Sequence, residues 1–235
     1  MTSADPEEPI ELLLHRFNAA IDPLDTGHFL EPTTVPGIPD EVVAACSRAL
    51  RRMPSDAIDE LAVTSSVRRE GRSLVAIGAA LVQRNEYGRK TILLELDLES
   101  PSIGGNAPGI AEVMRGEATL AECIVPLAPY LGVLPAGAVG DEALKLMARF
   151  RASSLLHDLR RSGYVIVADL PPLPPAGAAD RVIGLFSSVL FVVRAGKTSV
   201  ETIRAAVDGL ATPPVVLLNG KRSAVPRWLR PLVGG

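Results

Sequence analysis

Apolar residues along this chain fall into short unbroken runs separated by stretches of helical spacing. The runs are Glu60–Thr64, Thr91–Leu96, Leu131–Leu134, Tyr164–Asp169, Ser188–Val193 and Pro214–Leu218. They are continuous rather than alternating, the pattern of strands buried on both faces. Between them the spacing predicts helices over Ser73–Arg84, Gly109–Arg115, Asp141–Arg161, Ala178–Phe186 and Ser199–Gly209. An earlier helix begins at Pro39 and Asp40 and carries Val42, Val43, Cys46 and Leu50 on one face. Strands alternating with helices imply right-handed βαβ units and a parallel sheet. The expected fold is a three-layer α/β/α sandwich with a mostly parallel sheet. Ligands of such sheets bind at the carboxyl ends of the strands.

Residues 1–36 are rich in proline and acid and read as a poorly ordered tail. Within it, Ile10 to Phe17 has the spacing of a short amphipathic helix, suited equally to packing on its own domain or to docking elsewhere. Residues 37–235 are expected to form one domain, and an apolar fraction of 47% is enough for a full core. A net charge of −3 offers no basic field for nucleic acid. Cys46 and Cys123 are far apart and read as reduced and buried. The histidines His15, His28 and His157 form no cluster with cysteine, which argues against zinc. The acidic N-terminus lacks the basic region of a secretory signal, and no apolar run is long enough to span a bilayer. The expected location is the cytoplasm, with any attachment to the inner membrane made through a partner.

Three motifs fall at the ends of three predicted strands. The first is Ser66-Val67-Arg68-Arg69-Glu70-Gly71-Arg72-Ser73, between a strand and a helix. Its length and placement are those of a phosphate-binding loop, whose backbone N–H groups and following helix N-terminus cradle phosphates. Against the pattern G-x-x-x-x-G-K-[ST], Ser66 replaces the first glycine, Gly71 and Ser73 are kept, and Arg72 replaces the lysine. The second motif runs from Glu95 through Asp97 to Glu99, and the third ends at Asp169-Leu170-Pro171-Pro172. An apolar strand that ends in Asp is suited to holding Mg²⁺, directly or through water. One such Asp is more often a cap or turn residue. Three motifs in this order make a site.

From about Ile38 to Asn219 the chain resembles the bacterial tyrosine kinase (BY-kinase) domains of capsule and exopolysaccharide systems. These belong to the deviant P-loop ATPases that include the MinD and ParA proteins. The family's loop reads like T-S-S-x-P-G-E-G-K-S, matched by Thr64 to Ser73. Its second motif, D-x-D-x-R-x-P-S, is matched by Glu95 to Ser102, and its D-x-P-P by Asp169 to Pro172. Similar stretches are Gly109–Gly116, Leu131–Gly137 and Val192–Thr198. The resemblance implies ATP and Mg²⁺ as cofactors. It places nucleotide contacts at Ser66, Glu70, Gly71, Arg72, Ser73 and Asn219, the last as an adenine contact. It places Mg²⁺ at Ser73, Asp97 and Asp169, and catalysis, in an active protein, at Arg72, Glu95 and Asp97.

The departures point away from efficient chemistry. Arg72 puts a wide planar fork where the family has a compact ammonium. Arg69 and Arg68 replace a glycine and a proline. Glu95 is one methylene longer than the family's Asp, and Glu99 reverses the charge of its Arg. The family's C-terminal tyrosine cluster is missing: Tyr87, Tyr130 and Tyr164 all precede the last two strands. Val67 stands where MinD and ParA carry a second lysine. The family's subunit-joining E-x-x-R-x-x-R helix keeps Arg48 and Arg51 but has Ala45 for its Glu. The expectation is a degenerate BY-kinase-like protein that binds nucleotide weakly or not at all. It would serve exopolysaccharide synthesis or export through a Wzc-like membrane co-polymerase, with homo-oligomers an open question. The alternatives are an active tyrosine autokinase or ATPase and a ParA/MinD-like positioning ATPase.

Overall fold

Each apolar run becomes a strand of one sheet. The computed structural model describes residues 34–54, 57–105, 107–173 and 182–220. Its strands are β1 (Glu60–Ser65), β2 (Thr91–Glu95), β3 (Val125–Ala128), β4 (Leu131–Leu134), β5 (Val165–Asp169), β6 (Ser188–Arg194) and β7 (Val215–Asn219). Its helices are α1 (Asp40–Leu50), α2 (Arg72–Asn85), α3 (Ile110–Arg115), α4 (Leu120–Cys123), α5 (Ala143–Ala152), α6 (Leu155–Arg161) and α7 (Val200–Val207). The sheet order is β3-β4-β2-β5-β1-β6-β7. Every pairing is parallel except β3 with β4. The sheet is therefore mostly parallel, with helices on both faces, as the three-layer reading requires.

The two faces explain why the strands are continuously apolar. Leu61, Val63, Leu93, Val167, Leu190 and Val192 pack beneath α1 and α2. Their alternate neighbours Ala62, Ile92, Leu94, Ile166, Ala168 and Phe191 pack with α3, α5 and α6 on the other side. A side-chain period of two sends successive residues to opposite faces, so a strand covered twice has no polar position to spare. Both cysteines are buried and unpaired by disulfides.

The short helix α4 was not expected, and three further elements differ from expectation. The segment expected as one helix over Asp141–Arg161 is two, broken at Ser153 and Ser154. Ser153 Oγ donates to Phe150 O at 2.7 Å, and Ser154 Oγ bonds Asp158 Oδ2 at 2.6 Å. Serine hydroxyls compete in this way with the helix ladder. Strand β3 carries Pro126 and exposes Val125 and Leu127, so it lacks the buried-run signature. Proline is tolerated there because β3 is an edge strand. Of the helix expected over Ala178–Phe186, the described portion is a single 3₁₀ turn, Ile183–Leu185, and the rest lies outside the described residues. So does the helix expected at Ile10–Phe17. No helix among the described residues is long and apolar enough to cross a membrane.

Sheet order sets the site. β5 lies between β1 and β2, with Val63 opposite Asp169 and Glu95 opposite Asp169 in the two registers. The phosphate-loop sequence, the second motif and the third therefore leave the sheet side by side. On the far side of β2, α3 docks on the exit of β4: Ile110 N donates to Pro135 O at 2.8 Å and Ala111 N to Ala136 O at 3.0 Å. This approach needs a glycine at 109, because a Cβ there would fall 2.0 Å from Pro135 O. Gly109→Ala should destabilise the protein by about 1–3 kcal/mol, the range for overpacking. Gly184, whose Cβ would meet nothing within 4 Å, is the control: Gly184→Ala should leave the denaturation midpoint nearly unchanged. Equal midpoints for the two variants would contradict the docking.

Candidate functional site

The loop between β1 and α2 is shaped by one carboxylate. Glu70 is buried, and its two oxygens collect donors from two distant regions of the chain. Oε2 accepts from Ser66 N at 3.0 Å, Ser66 Oγ at 3.2 Å and Val67 N at 3.0 Å. Oε1 accepts from Arg194 N at 2.9 Å and Thr198 Oγ1 at 2.6 Å. Burial pushes the Glu70 carboxyl up. The bonds from Thr198, Arg194, Val67 and Ser66 outweigh it and hold the group below the usual glutamate value. The loop backbone turns through two left-handed residues, Arg69 (φ +66°) and Gly71 (φ +90°). Successive amides in such turns make a concave anion-binding surface.

Asn219, at the end of β7, supports this arch. Its Nδ2 donates to Glu70 O at 2.8 Å. A Cβ on Gly71 would sit 2.2 Å from the same Nδ2, so glycine is required there by both φ and space. The residue expected to touch adenine is in this structure a brace for the loop.

Arg72 opens α2 and turns inward, with 8% of its surface exposed. Its Nη2 donates to Asp97 Oδ2 at 2.5 Å, and its Nε faces Asp169 Oδ1 at 3.5 Å. Ser73 Oγ donates to Asp169 Oδ2 at 2.5 Å, and Ser102 Oγ reaches Ser73 Oγ at 3.0 Å. The three expected metal ligands Ser73, Asp97 and Asp169 are thus brought together, around a guanidinium. Burial pushes the Asp169 carboxyl up to about 6, with Arg72 and Ser73 pulling the other way. Burial likewise raises Asp97 against the attraction of Arg72 and Arg68. Arg68 pairs with Glu99 at 3.1 Å and lies 3.7 Å from Asp97, so the reversed charge at Glu99 faces a cation supplied by the loop itself.

Glu95 does different work. Its carboxylate accepts from the amides of Ser102, Ile103 (2.5 Å), Gly104 (3.1 Å) and Ala136 (3.1 Å). It ties the segment after the second motif to the exit of β4. Of the arginine pair kept from the family's subunit-joining helix, Arg51 bonds Glu86 of its own chain at 3.0 Å, while Arg48 is exposed.

The phosphate cradle and the metal position give different answers when tested for fit. A cleft of about 380 Å³ opens over the loop, lined by Arg68, Arg69, Gly71, Ser73 and Ser102 among others. Its left-handed turns and helix N-terminus suit a phosphate. The metal position does not suit Mg²⁺ as it stands, because the cation between Asp97 and Asp169 is Arg72. Among the described residues no group of three or more His, Cys, Asp or Glu side chains is placed to hold a metal ion. Sequence alone missed Thr198, Arg194 and Ser102 as members of the site. They lie in stretches that match the family, Glu95–Ser102 and Val192–Thr198, but their partners in the site are distant in the chain, so the stretches alone did not show what they touch.

Two outcomes follow from the loop. Replacing Glu70 by Gln sets an NH₂ group against donors, and should cost about 2–3 kcal/mol at pH 7, the scale of bonds to a charged group. A depressed carboxyl contributes stability above its unfolded value and loses it as pH falls through the folded one. Chemical denaturation should therefore show the deficit of Glu70→Gln shrinking as pH drops below the ordinary glutamate value of 4.5. Gly71→Ala should cost about 1–2 kcal/mol from its left-handed backbone alone. Some of the remaining loss should be recovered in Gly71→Ala/Asn219→Ala, and strict additivity in that cycle would refute the contact.

No family model matches the chain. Over 187 residues it is 30% identical to ExoP, the succinoglycan biosynthesis transport protein of Rhizobium meliloti (strain 1021). The match covers 75% of this chain and 22% of ExoP, so the chain spans about a fifth of that curated relative. The kinase domain of the Escherichia coli tyrosine kinase ETK superposes with a TM-score of 0.69 at 20% identity, covering 86% of each chain. The VpsO kinase domain gives 0.64 at 23% identity, covering 77% of this chain and 95% of that one. A ParA family ATPase from Chlorobium tepidum gives 0.51 at 15% identity over 68% and 72%. At these identities the structural likeness is one of fold. The chain is thus BY-kinase-like in fold, with the P-loop sheet it shares with a ParA ATPase, and similar in sequence to a succinoglycan transport protein.

Proposed function

We propose that this chain is a degenerate BY-kinase-like protein that supports exopolysaccharide biosynthesis or export, for a capsule, slime or holdfast-like adhesin. It acts by docking on the cytoplasmic side of a Wzc-like membrane co-polymerase rather than by turnover. One observation carries the reading: the loop, the sheet and the acidic strand ends are all in place, yet Arg72 fills the position where phosphate chemistry needs a metal. In a P-loop protein the metal bridges the phosphates and neutralises charge in the transition state. A guanidinium already engaged by two buried carboxylates is poorly placed for that work. The similarity to ExoP supports polysaccharide export as the setting. The ParA/MinD-like alternative rests on fold alone.

The tyrosines bear on autokinase activity. Tyr164 is buried against α6, and Tyr87, at 37% exposure, is engaged by Arg89. Incubation with labelled ATP and magnesium should give no phosphotyrosine at Tyr87, Tyr130 or Tyr164. Deleting the gene should reduce surface polysaccharide, measured chemically and by adhesion. Asp97→Ala and Asp169→Ala variants that still fold should restore it at least partly. Robust autophosphorylation would favour an active kinase. Normal polysaccharide with a defect in chromosome or cell-pole positioning would favour the ParA/MinD-like alternative.

A further inference from the structure

The geometry points to Arg72 as a resident cation that occupies the metal position of the phosphate loop and bars divalent ions from it. This builds on the degenerate-site reading and is independent of the polysaccharide role.

Charge is the first ground. Asp97 and Asp169 are 2% and 1% exposed. Two carboxylates buried this deeply side by side stay charged together only beside a cation. Arg72 supplies one positive charge, at 2.5 Å from Asp97 and 3.5 Å from Asp169. A divalent ion entering the same space would face the guanidinium at a few ångströms in a weakly screened interior. It would bind only if the Arg72 side chain left, and that side chain is 9% exposed. A guanidinium does not shed its charge to make room.

Incomplete hydrogen bonding is the second ground. Asp97 Oδ1, Asp169 Oδ1, and Nε and Nη1 of Arg72 are all buried without a hydrogen-bond partner. The longer Arg72–Asp169 contact is an ion pair and not a hydrogen bond. Buried polar atoms are ordinarily satisfied. The pattern fits a planar fork lodged between a carboxylate at the end of β5 and one just past β2: it aligns with Asp97 and only faces Asp169. The free lone pairs on Asp97 and Asp169 are thus a residual cation site that Arg72 covers without saturating.

The consequence is a loop whose charge balance does not depend on an arriving metal. Any phosphate-bearing ligand of the cleft would enter without a divalent ion. Removing the guanidinium should uncover the acidic pair.

The test uses the full chain and Mn²⁺ as a paramagnetic probe, with bound ion counted from the loss of the free-ion resonance signal. Wild type should show no Mn²⁺ site that depends on Asp97. Arg72→Gln, checked for folding by circular dichroism, should bind one Mn²⁺ at least about tenfold more tightly, a gain of about 1.4 kcal/mol. Adding Asp97→Asn should abolish the gain. Mg²⁺ should raise the melting temperature of Arg72→Gln and leave wild type unchanged. A folded Arg72→Gln with no gain in Mn²⁺ affinity would overturn the proposal. So would one Asp97-dependent Mn²⁺ site in wild type, or tighter ATP binding by wild type in Mg²⁺ than in EDTA. The ATP comparison needs no variant to fold. Loss of polysaccharide in a deletion strain is a separate readout, so failure of one reading leaves the other standing.

Discussion

Two buried carboxylates, Asp169 at the end of β5 and Asp97 just past β2, stay charged together only beside a cation, and the site is arranged around that cation. Asp97 and Asp169 leave the sheet side by side because β5 lies next to β2. Burial pushes both toward their protonated forms. In an ordinary phosphate loop the cation is a metal that comes and goes with nucleotide. Here it is covalently attached to α2. The pH signs at the two ends of the loop then oppose each other. Asp169 has a folded value of about 6, above its ordinary 3.8, so charging it opposes folding and this group adds stability as pH falls through that window. Glu70 is depressed and subtracts stability in acid. The two groups partly cancel as pH falls.

Glu70 makes the loop's shape a property of the chain rather than of a ligand. Its carboxylate joins loop amides to the end of β6 and to Thr198 just before α7. The left-handed turns at Arg69 and Gly71 are held in place by these bonds and by Asn219. Backbone strain of this kind persists when surrounding structure over-determines it. In the second motif Glu95 has a similar role, fixing residues 102–104 through their amides. The acidic residues in the motifs thus divide into organisers of backbone, Glu70 and Glu95, and partners of Arg72, Asp97 and Asp169.

Most of the sheet was legible in the sequence because its strands are buried on both faces, which writes an unbroken apolar run. The edge strand β3 was not, because Pro126 and two exposed apolar side chains carry no such signal. The single helix expected across Asp141–Arg161 ignored the hydroxyls of Ser153 and Ser154, which prefer local bonds to the ladder. At the site, the strand-end placement of Asp97 and Asp169 was readable from order and spacing. The inward turn of Arg72 was not, since it depends on two carboxylates 25 and 97 residues further along. Glu99 was read as reversing the charge of the family's Arg. Its pairing with Arg68 shows that a pair of substitutions can offset each other where each alone reads as damage.

The brace between Asn219 and the loop has a mechanical meaning. β7 lies at the edge of the sheet, paired on one side only, and its side chains Val216 and Leu218 are exposed. Edge strands are among the first regions of a domain to fray. Asn219 closes that strand and also holds Glu70 O, so fraying at the sheet margin would remove one of the bonds that shape a loop about 150 residues away in sequence. The loop is thus tied to the sheet's margin through Asn219 and to β6 and Thr198 through Glu70, so its shape is shared between an edge strand and its inner neighbour.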